Sequence, residues 1–140
     1  MPHIEQANEA EIVERNNLAK RVAEALKMAG FNTIAQDSDR RPDTGGALIS
    51  VDPMTDSRGG VFVRWEVHTS FSRAVAGKLQ KGELQDPTFR HFSFITEHMH
   101  TTMIAILESA GFRASDAEDD MSPYMIRVED VPSLDPPRES

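Results

Sequence analysis

The chain has 140 residues, with 23 acidic and 15 basic side chains, a formal charge of −8 and no cysteine. That length suits one domain, which buries roughly 68% of its unfolded surface on folding. The absence of cysteine excludes disulfides, thiolate metal sites and cysteine nucleophiles. The acidic excess argues against a nucleic-acid binder that works by neutralising phosphates. No apolar run approaches the ~20 residues of a membrane-spanning helix. The opening MPHIEQANEAEIVER is too acidic for a targeting peptide. The expectation is a soluble cytoplasmic domain with neither nucleic-acid nor membrane partners.

A flexible segment is expected over 1–7, followed by a first helix from about Asn8 to Ala29. Leu18, Val22, Ala25, Leu26 and Ala29 recur at three- and four-residue steps and form one apolar stripe. Gly30 is placed to take the left-handed conformation past the last turn, with Phe31 packing back on that turn. A short strand over 31–35 and a turn-rich loop follow. Ala47, Ile49 and Val51 then alternate along a second strand that stops at Asp52-Pro53, because proline has no N–H for the ladder. After the loop MTDSRGG comes the clearest strand, 61–68, with Val61, Val63, Trp65 and Val67 facing inward. Matching the inward faces predicts the pairs Val51 with Val61, Ile49 with Val63, and Ala47 with Trp65, since a one-residue slip would turn Trp65 outward.

The pattern over 70–81 suits a short helix with Phe71, Ala74, Val75 and Leu79 inward, ending at Gly82. Asp86-Pro87 supplies an N-cap acceptor and a first-turn proline for a long helix to Ala110, which turns Phe92, Ile95, Met99, Met103, Ile106 and Leu107 inward. Gly111-Phe112 repeats the ending seen at Gly30-Phe31. A strand over 124–128 closes the domain near residue 129, and a disordered tail is expected over 130–140. The fold class is therefore α+β: a two-layer sandwich in the order α-β-β-β-α-α-(β)-β. Helices pack on one face of a mainly antiparallel sheet of four or five strands. Small secretion-chaperone folds and the double-stranded-RNA-binding module share parts of this layout. The charge and the lack of a lysine cluster at the second helix speak against the RNA-binding reading.

Leu26-Lys27-Met28-Ala29-Gly30-Phe31 aligns with Leu107-Glu108-Ser109-Ala110-Gly111-Phe112, and Leu48–Asp52 with Met125–Glu129. An internal duplication with a pseudo-two-fold axis would explain both matches. It would also put two acidic loops, around Asp37–Asp43 and Asp116–Asp120, in equivalent places.

Candidate chemistry is sparse. His98 and His100 are two residues apart and point to opposite sides of a helix, and His91 and His98 share a face two turns apart on which the intervening Ile95 supplies no ligand. Asp37, Asp39 and Asp43 lack the calcium-loop pattern, because Arg41, Pro42 and Leu48 fill its fifth, sixth and twelfth positions. His68 and Ser70 have no nucleophile elbow or orienting carboxylate, and a serine there reads as a helix N-cap. No phosphate-binding glycine motif occurs. No catalytic residue, metal site or cofactor is predicted.

A candidate contact surface does emerge. With all helices on one face, the other presents Leu48, Phe62, Arg64, Glu66, His68, Met125 and Arg127, an apolar centre rimmed by charge. The favoured reading is a non-enzymatic interaction or regulatory module whose partner is a protein, either a different chain or a second copy. The alternative is a small-molecule-binding or catalytic domain with a pocket between sheet and helices, lined by Trp65, Phe71, Met99 and Met103. Met28 is a further candidate for a methionine-rich core. An acidic mimic of nucleic acid is a weaker third reading, resting on the net charge of −6 over 108–140.

Overall fold

Leu18, Val22 and Leu26 stand four residues apart and make one buried stripe along α1, Glu9–Met28. The computed structural model describes residues 9–36, 43–52, 60–118 and 122–130. The expected flexible start and the tail beyond Asp130 lie outside the described residues, as do Asp37, Asp39, most of MTDSRGG, Asp119 and Asp120.

Five strands follow the order β1-β2-β3-β5-β4 across one sheet: β1 Thr33–Ala35, β2 Gly46–Val51, β3 Val61–Glu66, β4 Arg113–Asp116 and β5 Ile126–Glu129. The other two helices are α2, Thr69–Gln80, and α3, Pro87–Ser109. The β2–β3 register has Val51 opposite Val61, Ile49 opposite Val63 and Ala47 opposite Trp65, as the alternation demands. Val61, Val63, Ile126 and Val128 then share a face with Ala47 and Ile49 and meet Leu18, Val22, Leu26, Met103 and Leu107 from the helices. Burying a Leu, Val or Met side chain of this kind stabilises by about 1.5–3 kcal/mol.

β1 pairs in parallel with β2, whereas the other neighbours are antiparallel. The first three strands are therefore not an antiparallel meander, which removes the layout likeness to the RNA-binding module. β4 has only Ala114 buried, so the alternating signature that marks β3 is missing there.

Both α1 and α3 end the same way. Phe31 N–H donates to the Leu26 carbonyl and Phe112 N–H to that of Leu107, each at 3.0 Å. Gly30 and Gly111 sit at φ 102° and 101°, where a Cβ would be strained. Phe31 then meets Trp65 edge to face at 5.6 Å, and Phe112 lies under the Arg21 guanidinium at 5.7 Å. The duplication does not extend to the strands. β1 runs with β2 while β4 runs against β5, and β2 and β5 both lie antiparallel to β3. A two-fold axis through β3 and normal to the sheet would reverse one of them, so strand direction rules that axis out.

Several expected core positions are not core. Met28 is 87% exposed, one residue beyond the turn that carries Leu26 inward. α2 buries nothing completely, because it packs chiefly on α3, with Phe71 against Phe92 and His91. Leu79 is 60% exposed and Ala74 is exposed too. On α3 only Met103 and Leu107 are fully buried; Phe92, Ile95 and Met99 are half-buried, and Ile106, also half-buried, packs against the core as expected.

Leu107→Ala should therefore cost about 2–5 kcal/mol in chemical denaturation, and Leu79→Ala no more than about 0.5 kcal/mol. Gly111→Ala should cost about 1 kcal/mol through backbone strain alone, since no atom lies within 4 Å of the added Cβ. Gly45→Ala should cost more, because that Cβ would collide with the Glu66 carbonyl oxygen.

Candidate functional site

Side chains alternate across a strand, so a register that turns Val61 and Val63 toward the helices turns Phe62, Arg64 and Glu66 the other way. Leu48 pairs with Arg64, and Ser50 with Phe62. Phe62 pairs on its other side with Arg127, and Arg127 with Ser115. The face away from the helical core thus gathers Leu48, Phe62, Arg64, Glu66 and Arg127 as neighbours. Met125 immediately precedes β5, half-buried, and its carbonyl accepts from Ala117 N–H at 2.8 Å.

The surface is more charged than apolar. Arg64 donates to Glu66 at 2.8 Å and Arg127 to Glu129 at 2.9 Å, while Arg113 lies 3.7 Å from the same Glu129 carboxylate. Each pair joins residues two apart on one strand, or neighbours across the β4–β5 ladder, the geometry in which side chains on one sheet face meet. Half-exposed pairs contribute only about 0–1 kcal/mol each to stability, so their main effect is to fix the guanidinium positions. Phe62 is half-buried, and Leu48, only 4% exposed, offers little apolar surface. Ile34, paired with Leu48 on β1, is equally covered.

His68 does not belong to this face. β2 begins at Gly46 opposite Glu66, so β3 has no partner residue beyond that point. The chain turns there, with Thr69 N–H donating to the Asp43 carbonyl. His68 caps α2 instead, its Nδ1 accepting from Ser70 N–H at 3.0 Å. The cap is thus the histidine and not the serine that its preference for N-cap positions suggested. Ser70 Oγ lies 3.0 Å from the same nitrogen, but the two side chains are exposed and no described carboxylate orients the ring.

The remaining histidines on α3 have separate surroundings. His91 tilts against Phe71, and His98 stacks on Phe94 at 3.9 Å while its Nδ1 donates to the Phe94 carbonyl at 2.8 Å. His100 Nε2 is 3.0 Å from Asp116 Oδ1 and its ring meets the edge of Tyr124. Among the described residues, no group of three His, Asp or Glu side chains is placed to hold a metal ion. Asp116 spends its other oxygen on Glu118 N–H at 2.8 Å.

Among the described residues, two of the cavities border the sheet. One, of about 660 Å³, is a groove between α1 and the β1 edge, whose wall mixes Ala19, Ala23 and Ala35 with Ile34 and the longer Lys20 and Lys27. The other, of about 460 Å³, has Trp65, Phe92 and Tyr124 in its wall. Its wall shares Trp65 with the expected methionine-lined pocket but includes neither Phe71, Met99 nor Met103. Met103 is a core filler with no exposure at all. Spacing along single elements does not signal the aromatic cavity, because its wall is drawn from β3, α2, α3 and the turn before β5.

No family model, curated protein or solved structure matches this chain. No described helix is long and apolar enough to cross a membrane.

The clearest electrostatic feature lies where α2 gives way to α3. Asp86 caps α3 by accepting from Thr88, its N–H at 2.9 Å, and Lys78 reaches both Asp86 at 3.1 Å and Glu83 at 3.2 Å. The Thr88 hydrogen bonds, then Lys78, hold the Asp86 carboxyl down at about 2, and the two carboxylates raise Lys78. A lowered folded pKa means that this cap stabilises above the ordinary carboxylate value of 3.8 and stops doing so as the pH falls through about 2. Asp86→Ala should lower the Tm by a few degrees near neutral pH, and the gap to the parent should close across that acid window.

Proposed function

We propose that this protein is a non-enzymatic interaction module that meets a protein partner through the sheet face opposite its helical core. The observation that supports this reading is the ladder of fixed Arg–Glu pairs around Phe62. Arg64–Glu66 lies on one side of the ring, and Arg127–Glu129 lies on the neighbouring strand. Mixed charge around a partly covered aromatic suits a specific, reversible protein contact more than a bulk apolar one. Arginine heads already held in place lose less rotamer freedom on association, which favours binding. The chemistry needed for catalysis has weaker support, since the close contact between His68 and Ser70 lies exposed at a helix cap.

The test has two stages. Sedimentation of the parent chain and of Phe62→Asp over a range of concentrations reads self-association. A photo-crosslinking residue at position 62, with position 28 as control, reads contact with a different protein in the organism that makes it. The expected result is either a mass increase lost in Phe62→Asp or a discrete adduct specific to position 62, with the Tm of Phe62→Asp within a few degrees of the parent. Unfolding of Phe62→Asp would mean that the ring is core. A monomer with no position-specific adduct would reject the interface.

A further inference from the structure

A sheet leaves backbone groups unpaired at its two edges, and natural edges are blunted by charge, by shortness or by a covering element. Here the edges differ. β4 carries Arg113 and Asp116, the first 3.7 Å from Glu129 and the second 3.0 Å from His100. β1 is short, but Thr33, Ile34, Ala35 and the following Gln36 bring no charge to it. The Asn32 carbonyl accepts from Ala47 N–H, and Gln36 N–H donates to the Ile49 carbonyl, both at 2.9 Å. Backbone groups alternate sides along a strand, so those of Thr33 and Ala35 point away from β2, where no described residue meets them.

The groove of about 660 Å³ runs beside this edge. Thr33 pairs with Ala47 and Ala35 with Ile49, so both side chains lie on the core side of the sheet. α1 packs chiefly on β2 and leaves Ala35 exposed and Thr33 half-buried. Ala19 and Ala23 line the α1 wall, where their small side chains leave room for those of another strand. Lys20 and Lys27 stand on the same wall, both exposed, and neither pairs with a described carboxylate. Glu24 lies between them in sequence. At 100° per residue it is turned about 40° past Lys20 and about 60° past Lys27, away from Ala23, and it is not part of the wall. No described acid lines the groove, so its fixed charge is positive on a molecule that is acidic as a whole.

We propose that the β1 edge takes an extended acidic segment of another protein as a sixth strand. The outward N–H and C=O groups of Thr33 and Ala35 supply two donors and two acceptors for the new ladder. Alternate side chains of the segment fall on the groove side, about 7 Å apart. Glutamates there lay their methylenes along Ala19 and Ala23 and carry their carboxylates to Lys20 and Lys27, which stand ~10.5 Å apart along α1 at the ends of flexible stems. A second copy suits the edge less well. Antiparallel pairing of β1 with itself has its two-fold axis normal to the sheet, which would bring the two lysine walls together, like charge against like. The groove shares no residue with the contact face around Phe62, so either surface can fail alone.

The probes are two end-blocked peptides, one alternating glutamate with valine and the other alternating lysine with valine, read by amide NMR of the full chain. The glutamate peptide should give saturable shifts at Thr33 and Ala35 and, at saturation, slow hydrogen exchange of their N–H groups at least about tenfold. The lysine peptide should bind at least about tenfold more weakly, although a net charge of −8 would by itself favour it. Reversing both exposed lysines, Lys20→Glu with Lys27→Glu, should invert that preference at the same two amides with the Tm within a few degrees of the parent. Ala35→Pro removes an outward N–H and no bond to β2; it should stay folded and weaken the glutamate peptide about tenfold, read at Thr33. Equal or tighter binding of the lysine peptide, no saturable shift at either amide, or unchanged binding after lysine reversal would overturn the proposal. So would a dimer in sedimentation that dissociates on Ala35→Pro, since a second copy would then hold the edge.

Discussion

Val61 and Val63 stand at the centre of the sheet with no exposed surface, Ile49 on one side and Ile126 and Val128 on the other, and the helices close over them. A slip of one residue along β3 would send Phe62 and Arg64 under α1 and α3. Burying an unpaired guanidinium costs several kcal/mol, which is comparable with the whole stability of a small domain. One alternation therefore sets the core and, by exclusion, the residues that face away from it. Neither surface can be altered in register without the other.

The two helix ends show how far a local signal reaches. Gly30-Phe31 and Gly111-Phe112 make the same hydrogen bonds and the same left-handed turn. Their aromatic rings then do different things, one meeting Trp65 and the other lying beneath Arg21. The strands that follow take opposite directions relative to their neighbours. A glycine past the last turn dictates how a helix stops. It carries no information about which strand the emerging chain will join, because that depends on pairing energies elsewhere in the sheet.

Arg64 and Glu66 belong to two surfaces at once. They form part of the charged ladder on the helix-free face, and they also border the cavity at Trp65, a notch where β3 outlasts β5. This follows from geometry, since the end of a strand that extends past its neighbour exposes both its faces and its unpaired side. The long α3, roughly 34 Å at 1.5 Å per residue, overhangs the same region. Only its Met103 and Leu107 are fully buried, and its first half serves as the wall of the notch and the support of α2.

The amino-acid order alone determined the elements whose signals are local. These include the helix stops at Gly30 and Gly111, the cap at Asp86, and the facing of β2 and β3, where β-branched residues alternate over a full strand. It also turned Phe62, Arg64 and Arg127 to one side of the sheet, because facing follows once the other side must be buried. That β5 lies beside β3 and brings Arg127 next to Phe62 was decided by the tertiary structure. Tertiary structure decided what depends on length matching and on competition between partners. It set the parallel pairing of β1, the addition of β4 with its single buried side chain, and the termination of β3 before His68. It also left Met28 and Leu79 exposed despite their apolar character. The notch at Trp65 belongs to this second group: four segments remote in sequence must first be assembled, and the mismatch between β3 and β5 exists only when both are paired. Periodicity reports which side of an element seeks cover, whereas a cavity is defined by where that cover runs out.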